Sequence, residues 1–360
     1  MRCEVLENGA EVAVIARMTQ NKGTNLIKAG AITAAGFLAA RSLLRKAFEA
    51  DLKDKTVLIT GGSRGLGLVL AREFAGEGAR VAICARDEEE LDRARVDLQQ
   101  LAQEVMVVKC DVTNKLDVAN MVSQIHNRFD RIDVLVNNAG VIQVGPVEVM
   151  NREDYEQAMD THFWGPLNTI LAVLPEMRQR KEGRIVNISS IGGKISIPHL
   201  VPYCASKFAL VGLSKGLRAE LRKDGIVVTT VCPGLMRTGS PRNADFKGQH
   251  RSEYAWFSIS DALPLTSIKA ERAARQIVGA CKQGRAELVI SVQAKMAVYF
   301  DALFPELSAE MLSLVNRVLP EAGGIGDRSV KGKDSESSWS PSWLTTLNEA
   351  AAVKNNEMVA

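Results

Sequence analysis

A phenol and an ammonium four residues apart, Tyr203 and Lys207, share one face of any helix that contains them. A free phenol ionises near about pH 10, too high for a base at neutrality. A neighbouring cation favours the phenolate. Such a phenol can give a proton to a carbonyl oxygen, or take one from an alcohol, while a hydride moves. Alone, this spacing also suits an ordinary surface pair. A second signal is Thr60-Gly61-Gly62-Ser63-Arg64-Gly65-Leu66-Gly67, between a β-rich run and a helical pattern. Glycines there permit a tight turn and let the backbone come close to a pyrophosphate, to which the helix N-terminus offers free N–H groups. The same glycines could make a plain turn. Some twenty residues on, the next strand ends in Ala85-Arg86. Arg86, with Arg64 from the loop, offers guanidinium forks suited to a 2′-phosphate, which favours NADP(H) over NAD(H). Asp87 competes as a partner for a ribose hydroxyl, but with Glu90 it also makes a helix capping box.

These groups need a scaffold, and the chain alternates strand and helix. Strand patterns fall at 56–60, 80–85, 105–109, 132–137, 184–189, 226–232 and 287–291. Helical patterns fall between them, at 66–74, 116–129, 152–159, 165–178, 203–222 and 271–282. Strands separated by helices of this length predict an α/β fold: one doubly wound parallel sheet of seven strands, Rossmann-type, with helices on both faces. Ligands of such sheets bind beyond the carboxyl ends of the strands. Gly61, Arg86, Asp111, Asn138, Ser190 and Pro233 all follow predicted strand ends.

Over 53–291 the chain resembles a classical short-chain dehydrogenase/reductase. The resemblance is carried by Thr60-Gly61-x-x-x-Gly65-x-Gly67, Asp111-Val112, Asn137-Asn138-Ala139-Gly140, Ser190, Tyr203-x-x-x-Lys207 and Pro233-Gly234, with Ser190 thirteen residues before Tyr203. It implies that Gly61, Ser63, Arg64, Leu66 and Gly67 bind the cofactor's phosphates. Asp111 and Val112 would meet the adenine, and Asn138, Ala139 and Gly140 would line the adenosine side. Tyr203 would be the acid/base, Lys207 would hold the nicotinamide ribose and lower the Tyr203 pKa, and Ser190 would bind the substrate oxygen. Pro233, Gly234 and Thr238 would contact the nicotinamide. One position departs from the pattern: where the family usually carries an Asn that supports a proton-relay water, Thr161-His162-Phe163-Trp164-Gly165 places His162. An imidazole could replace that relay or simply fill the space. The activity implied is carbonyl/alcohol interconversion by hydride transfer. The alternatives are a cofactor-binding sensor or scaffold without turnover, and an epimerase or dehydratase using the same cofactor.

Composition bounds the rest. The 360 residues are 46% hydrophobic and 24% charged, enough for a sizeable core. A net charge of +3 gives no reason to expect nucleic-acid binding. Six cysteines without CxxC or metal-ligand spacing read as reduced core thiols, and no metal site is expected. His126, His199 and His250 read as surface or loop residues. Aromatic residues are 5% overall yet gather at 240–265 as Phe246, Tyr254, Trp256 and Phe257, which reads either as a lid for an apolar or bulky small-molecule substrate or as core packing. The flanks divide into an N-terminal extension (1–52), a C-terminal helical extension (292–322) and a flexible tail (323–360) rich in Gly, Ser and charge. In the first, an apolar run within 26–44 is flanked by basic residues; it reads as an ordinary docking helix or as an anchor holding a cytoplasmic protein to the inner face of a membrane. The flanks resemble those of uncharacterised bacterial members of the family, which are often homodimers or homotetramers. Asn355-Asn356-Glu357 suggests no chemistry.

Overall fold

The computed structural model describes residues 49–102, 104–264 and 266–358. The apolar run at 26–44 and Cys3 lie outside them. Seven strands form one parallel sheet: β1 (Thr56–Thr60), β2 (Arg80–Ala85), β3 (Val105–Lys109), β4 (Val134–Asn137), β5 (Gly183–Ile188), β6 (Ile226–Pro233) and β7 (Glu287–Ile290). Their spatial order is β7-β6-β5-β4-β1-β2-β3. The order reverses between β1 and β4, so the loops after these two strands open a crevice at the sheet's carboxyl edge.

The helices are α1 (Gly65–Gly76), α2 (Glu88–Leu98), α3 (Lys115–Phe129), α4 (Arg152–Met159), α5 (Gly165–Arg180), α6 (Val201–Leu221), α7 (His250–Ala262), α8 (Ala270–Lys282), α9 (Val292–Leu303), α10 (Pro305–Asn316) and α11 (Thr346–Lys354). Alternation along each strand sorts them onto the two faces. Val57 and Ile59 of β1, with Val134 and Val136 of β4, pack against α1 and α8. Leu58 and Leu135, the intervening residues, pack against α3 and α5. Both faces are covered, which is why the strands read as nearly continuous apolar runs. Cys84, Cys110, Cys204, Cys232 and Cys281 are buried free thiols within this packing.

Residues 323–358 differ from the flexible tail expected from composition. Val330–Lys331 pairs antiparallel with Asp245–Phe246, and α11 follows. Lys331 bonds Asp245, Ser335 bonds His250, and Arg242 reaches Glu336 and Glu349. A polar segment gains order here through specific bonds to the folded body, which composition does not register. Among the described residues no helix is long and apolar enough to cross a membrane.

Candidate active site

The Gly-rich turn joins β1 to α1, and its glycines answer to close approach. Gly61 has φ of +62°, and a Cβ there would come 2.8 Å from the Ala139 Cα. At Gly67 a Cβ would fall on the Gly61 carbonyl oxygen. Asn138, at the end of β4, ties the turn down: its Nδ2 donates to the Thr60 and Gly61 carbonyls at 3.1 and 3.0 Å. The Thr60 hydroxyl accepts the amides of Asn138 and Ala139. The switch point is thus held rigid by its own side chains.

A cavity of about 720 Å³ opens over this turn. Its walls include the predicted residues Gly61, Ser63, Arg64, Leu66, Gly67, Arg86, Asp111, Val112, Asn138, Ala139, Gly140, Ser190, Tyr203, Lys207, Pro233, Gly234 and Thr238. His162 is not in the wall but behind it. A glycine cradle opening into this cavity suits a dinucleotide, with Arg86 and Asp111 following β2 and β3 and Tyr203 and Lys207 on α6.

Charge around the turn is arranged differently from the sequence reading. Asp87 caps α2 by accepting the Glu90 amide at 2.9 Å. The Glu90 carboxylate does not return the bond. It accepts from the Ser63 hydroxyl at 2.9 Å and lies 3.3 Å from the Arg64 guanidinium. Arg64 also faces Glu357 at 3.6 Å. Arg86, exposed at the end of β2, has no ion pair of this kind among the described residues and faces the cavity.

At the other end, α6 carries Tyr203 and Lys207 beneath Ser190, which follows β5. The Ser190 hydroxyl accepts the Gly192 amide at 3.0 Å, and Ser190 and Tyr203 both line the cavity. Lys207 is 4% exposed; its Nζ donates to the Ile188 carbonyl at 3.1 Å and lies 5.6 Å from the Tyr203 ring centre. Burial dominates both titrations. It lifts the Tyr203 phenol to about 12 against the lowering effect of Ser190, and depresses the Lys207 ammonium to about 7.

His162 sits in a π-helical turn, Asp160–Trp164, between α4 and α5, and is fully buried. Its Nε2 accepts the Val141 amide at 3.1 Å, which places the ring proton on Nδ1, 2.7 Å from the Ser206 hydroxyl. Ser206 in turn donates to the Tyr203 carbonyl at 2.7 Å. Burial and the nearby Lys207 hold the imidazole well below its usual pKa. Both ring nitrogens are committed, and the ring edge packs against Tyr203 with centroids 5.4 Å apart.

His199 lies in the turn before α6, as a loop residue, yet it is buried: its Nδ1 lies 2.8 Å from the Glu253 carboxylate, itself wholly buried. Of the aromatic cluster, Phe246 and Tyr254 pack with Val144, Leu200 and Cys204 as core, and only Phe257 faces the cavity. Ile142, Ile197 and Leu200 complete that apolar wall.

Sequence reasoning missed two carboxyl groups in the cavity. Asp261, on α7, accepts the Met236 amide at 3.1 Å through Oδ1, while its buried Oδ2 has no hydrogen-bond partner among the described residues. Burial raises it to about 7. Glu357, next to the turn, is likewise raised to about 7 by burial. Asp261 lies in a segment read for its aromatic residues, and Glu357 in a tail motif that suggested no chemistry, so neither was expected at the site.

With this geometry in view, comparison with known proteins is informative. Residues 55–247 match the family model for short chain dehydrogenases. A dehydrogenase/reductase SDR family member 7B from Danio rerio is 32% identical over 264 residues, 71% of this chain and 84% of that one. A putative ketoacyl reductase from Streptomyces coelicolor is 38% identical over 187 residues, 51% of this chain and 72% of that one. Among solved structures, an actinorhodin polyketide ketoreductase variant with NADPH superposes with a TM-score of 0.59 at 32% identity, covering 66% of this chain and 95% of that one. The chain belongs to the short-chain dehydrogenase/reductase family of NAD(P)-dependent oxidoreductases.

Proposed function

We propose that the protein interconverts a carbonyl and an alcohol using NADP(H), with Tyr203 as the proton donor and acceptor. The observation that carries this is that Ser190 and Tyr203 line one cavity, with Lys207 buried one helical turn away and its Nζ 5.6 Å from the Tyr203 ring centre. The cofactor, when bound, supplies or receives the hydride. The chain's own part is to hold the substrate oxygen between Ser190 and Tyr203, where both hydroxyls can donate to a developing oxyanion. Tyr203 would give its proton to the carbonyl oxygen in reduction and take one from the alcohol in oxidation. Lys207, one helical turn from Tyr203, would hold a ribose hydroxyl of the cofactor. Gly61, Ser63, Arg64, Leu66 and Gly67 would hold the phosphates. Asp111, Val112, Asn138, Ala139 and Gly140 would hold the adenosine end, and Pro233, Gly234 and Thr238 the nicotinamide end.

Arg86 supports NADP(H) over NAD(H), because it faces the cavity while Arg64 is already shared by two carboxylates. Ile142, Ile197, Leu200 and Phe257 favour an apolar carbonyl substrate. The ketoacyl and polyketide names of two relatives agree with that class. His162 acts as a positioning residue for α6, not as a relay. Residues 26–44 remain our candidate for attachment to a membrane from the cytoplasmic side, and a homodimer or homotetramer our candidate assembly. NADPH and NADH consumption against ketones, aldehydes, quinones and 3-ketoacyl thioesters tests the reading. Turnover of an apolar ketone with NADPH preferred supports it. Cofactor binding with no turnover on any of these would favour a sensor.

A further inference from the structure

The end of the chain reaches the Gly-rich turn. Beyond α11, the Asn355 carbonyl accepts the Gly65 amide at 2.8 Å. Asn356 Nδ2 donates to the carbonyls of Ser63 and Glu90 at 2.8 and 3.0 Å. The Glu357 side chain, 4% exposed, lies directly over Gly65: a Cβ there would strike its carboxylate. That carboxylate pairs with Arg64, accepts from Asn243, and lines the same cavity as Tyr203 and Lys207. The segment is docked by specific bonds. Arg72 donates to the Asn355 side chain at 3.2 Å and to the Lys354 carbonyl at 2.8 Å, and Arg93 donates to Asn356 at 2.8 Å. On the facing loop after β6, the Gly239 amide donates to Asn348 at 3.1 Å, and Asn355 Nδ2 reaches the Thr238 carbonyl at 3.4 Å.

An anion beside the N-terminus of α1 and in contact with Arg64 holds the position that the helix dipole and this guanidinium would offer a pyrophosphate. Two anions on one site repel, and the amides and guanidinium can serve only one of them. We propose that residues 355–357 are an intrasteric plug of the cofactor's phosphate site, and that a dinucleotide binds by displacing the Glu357 carboxylate from Arg64 and Gly65. The burial that raises this carboxyl fits a group held in a pocket not built to keep its charge solvated. The inference rests on the cofactor-binding part of the proposed function and adds that the chain carries its own competitor.

The test measures equilibrium binding of adenosine diphosphate and NADPH to the full chain, to Glu357→Gln, and to a chain ending at Lys354. Glu357→Gln keeps the shape and removes the charge, and is expected to bind both nucleotides about tenfold more tightly, with the shortened chain at least as tight. In the full chain, hydrogen exchange over 346–357 should accelerate when adenosine diphosphate is added. Unchanged or weaker nucleotide binding in Glu357→Gln, or slower exchange of that segment on nucleotide addition, overturns the plug. If tighter binding is found while no carbonyl compound is turned over, the plug stands and the oxidoreductase reading fails.

Discussion

Lys207 Nζ lies 5.6 Å from the centre of the Tyr203 ring, with its bond spent on the Ile188 carbonyl. The two groups are adjacent, yet burial works on them in opposite senses. The phenol is pushed up to about 12 and the ammonium down to about 7. For a base with a lowered pKa, the native state binds fewer protons than the unfolded chain between about pH 7 and pH 10.5, so this group makes stability rise with pH across that window. Lys207→Met relieves the buried amine. It is expected to abolish turnover while leaving Tm no lower than wild type at pH 6.5. A marked loss of Tm by calorimetry would show that the ammonium is paid for by contacts beyond Ile188.

His162 joins α6 to the loop after β4 through Ser206 and Val141. His162→Ala strands the Val141 amide and the Ser206 hydroxyl in a dry site, costing about 1–3 kcal/mol in chemical denaturation. Because the ring is neutral throughout the physiological range, His162→Asn should leave the midpoints of the pH–rate profile in place. A shifted midpoint would restore a proton-relay role to the imidazole.

Asp261 and Glu357 are both raised from ordinary carboxyl values of 3.8 and 4.5 to about 7. Between about pH 4 and pH 7 the native state keeps protons that the unfolded chain has released. Stability therefore falls as pH rises through this window and levels off above it. Thermal unfolding from pH 4.5 to 8 should show the decline, and Asp261→Asn should flatten it. A slope unchanged in Asp261→Asn would mean that its unpartnered Oδ2 is satisfied in solution.

Among the described residues Arg86 faces the cavity without an ion-pair partner of its own, whereas Arg64 is shared between Glu90 and Glu357. Arg86→Ala should weaken NADPH about tenfold or more, with little change for NADH. Fluorescence titration of both cofactors reads the ratio. An equal loss for the two would remove Arg86 from 2′-phosphate selection.

The doubly wound sheet was legible because each strand is an apolar run bounded by helical periodicity, and the cofactor turn because its glycines sit between β1 and α1. The positions of Ser190, Tyr203 and Lys207 in one wall follow from their places at a strand end and on the next helix. What escaped was non-local. Glu90 looked like half of a capping box, but its carboxylate turns to Ser63 and Arg64. Asn355-Asn356-Glu357 carries no local pattern, and gains meaning only when folding brings it to Gly65, some 290 residues earlier in the chain. The buried His199–Glu253 pair and the core placement of Phe246 and Tyr254 likewise depend on partners far away in sequence.

The central claim is that the Tyr203 phenol moves the proton while the chain holds a carbonyl beside it. It is tested most directly by Tyr203→Phe measured beside wild type, following NADPH consumption with an apolar ketone and NADPH binding in the same preparations. The account predicts a loss of turnover of about 10²–10⁴-fold with NADPH affinity within about threefold of wild type. Turnover at the wild-type rate in Tyr203→Phe would contradict it.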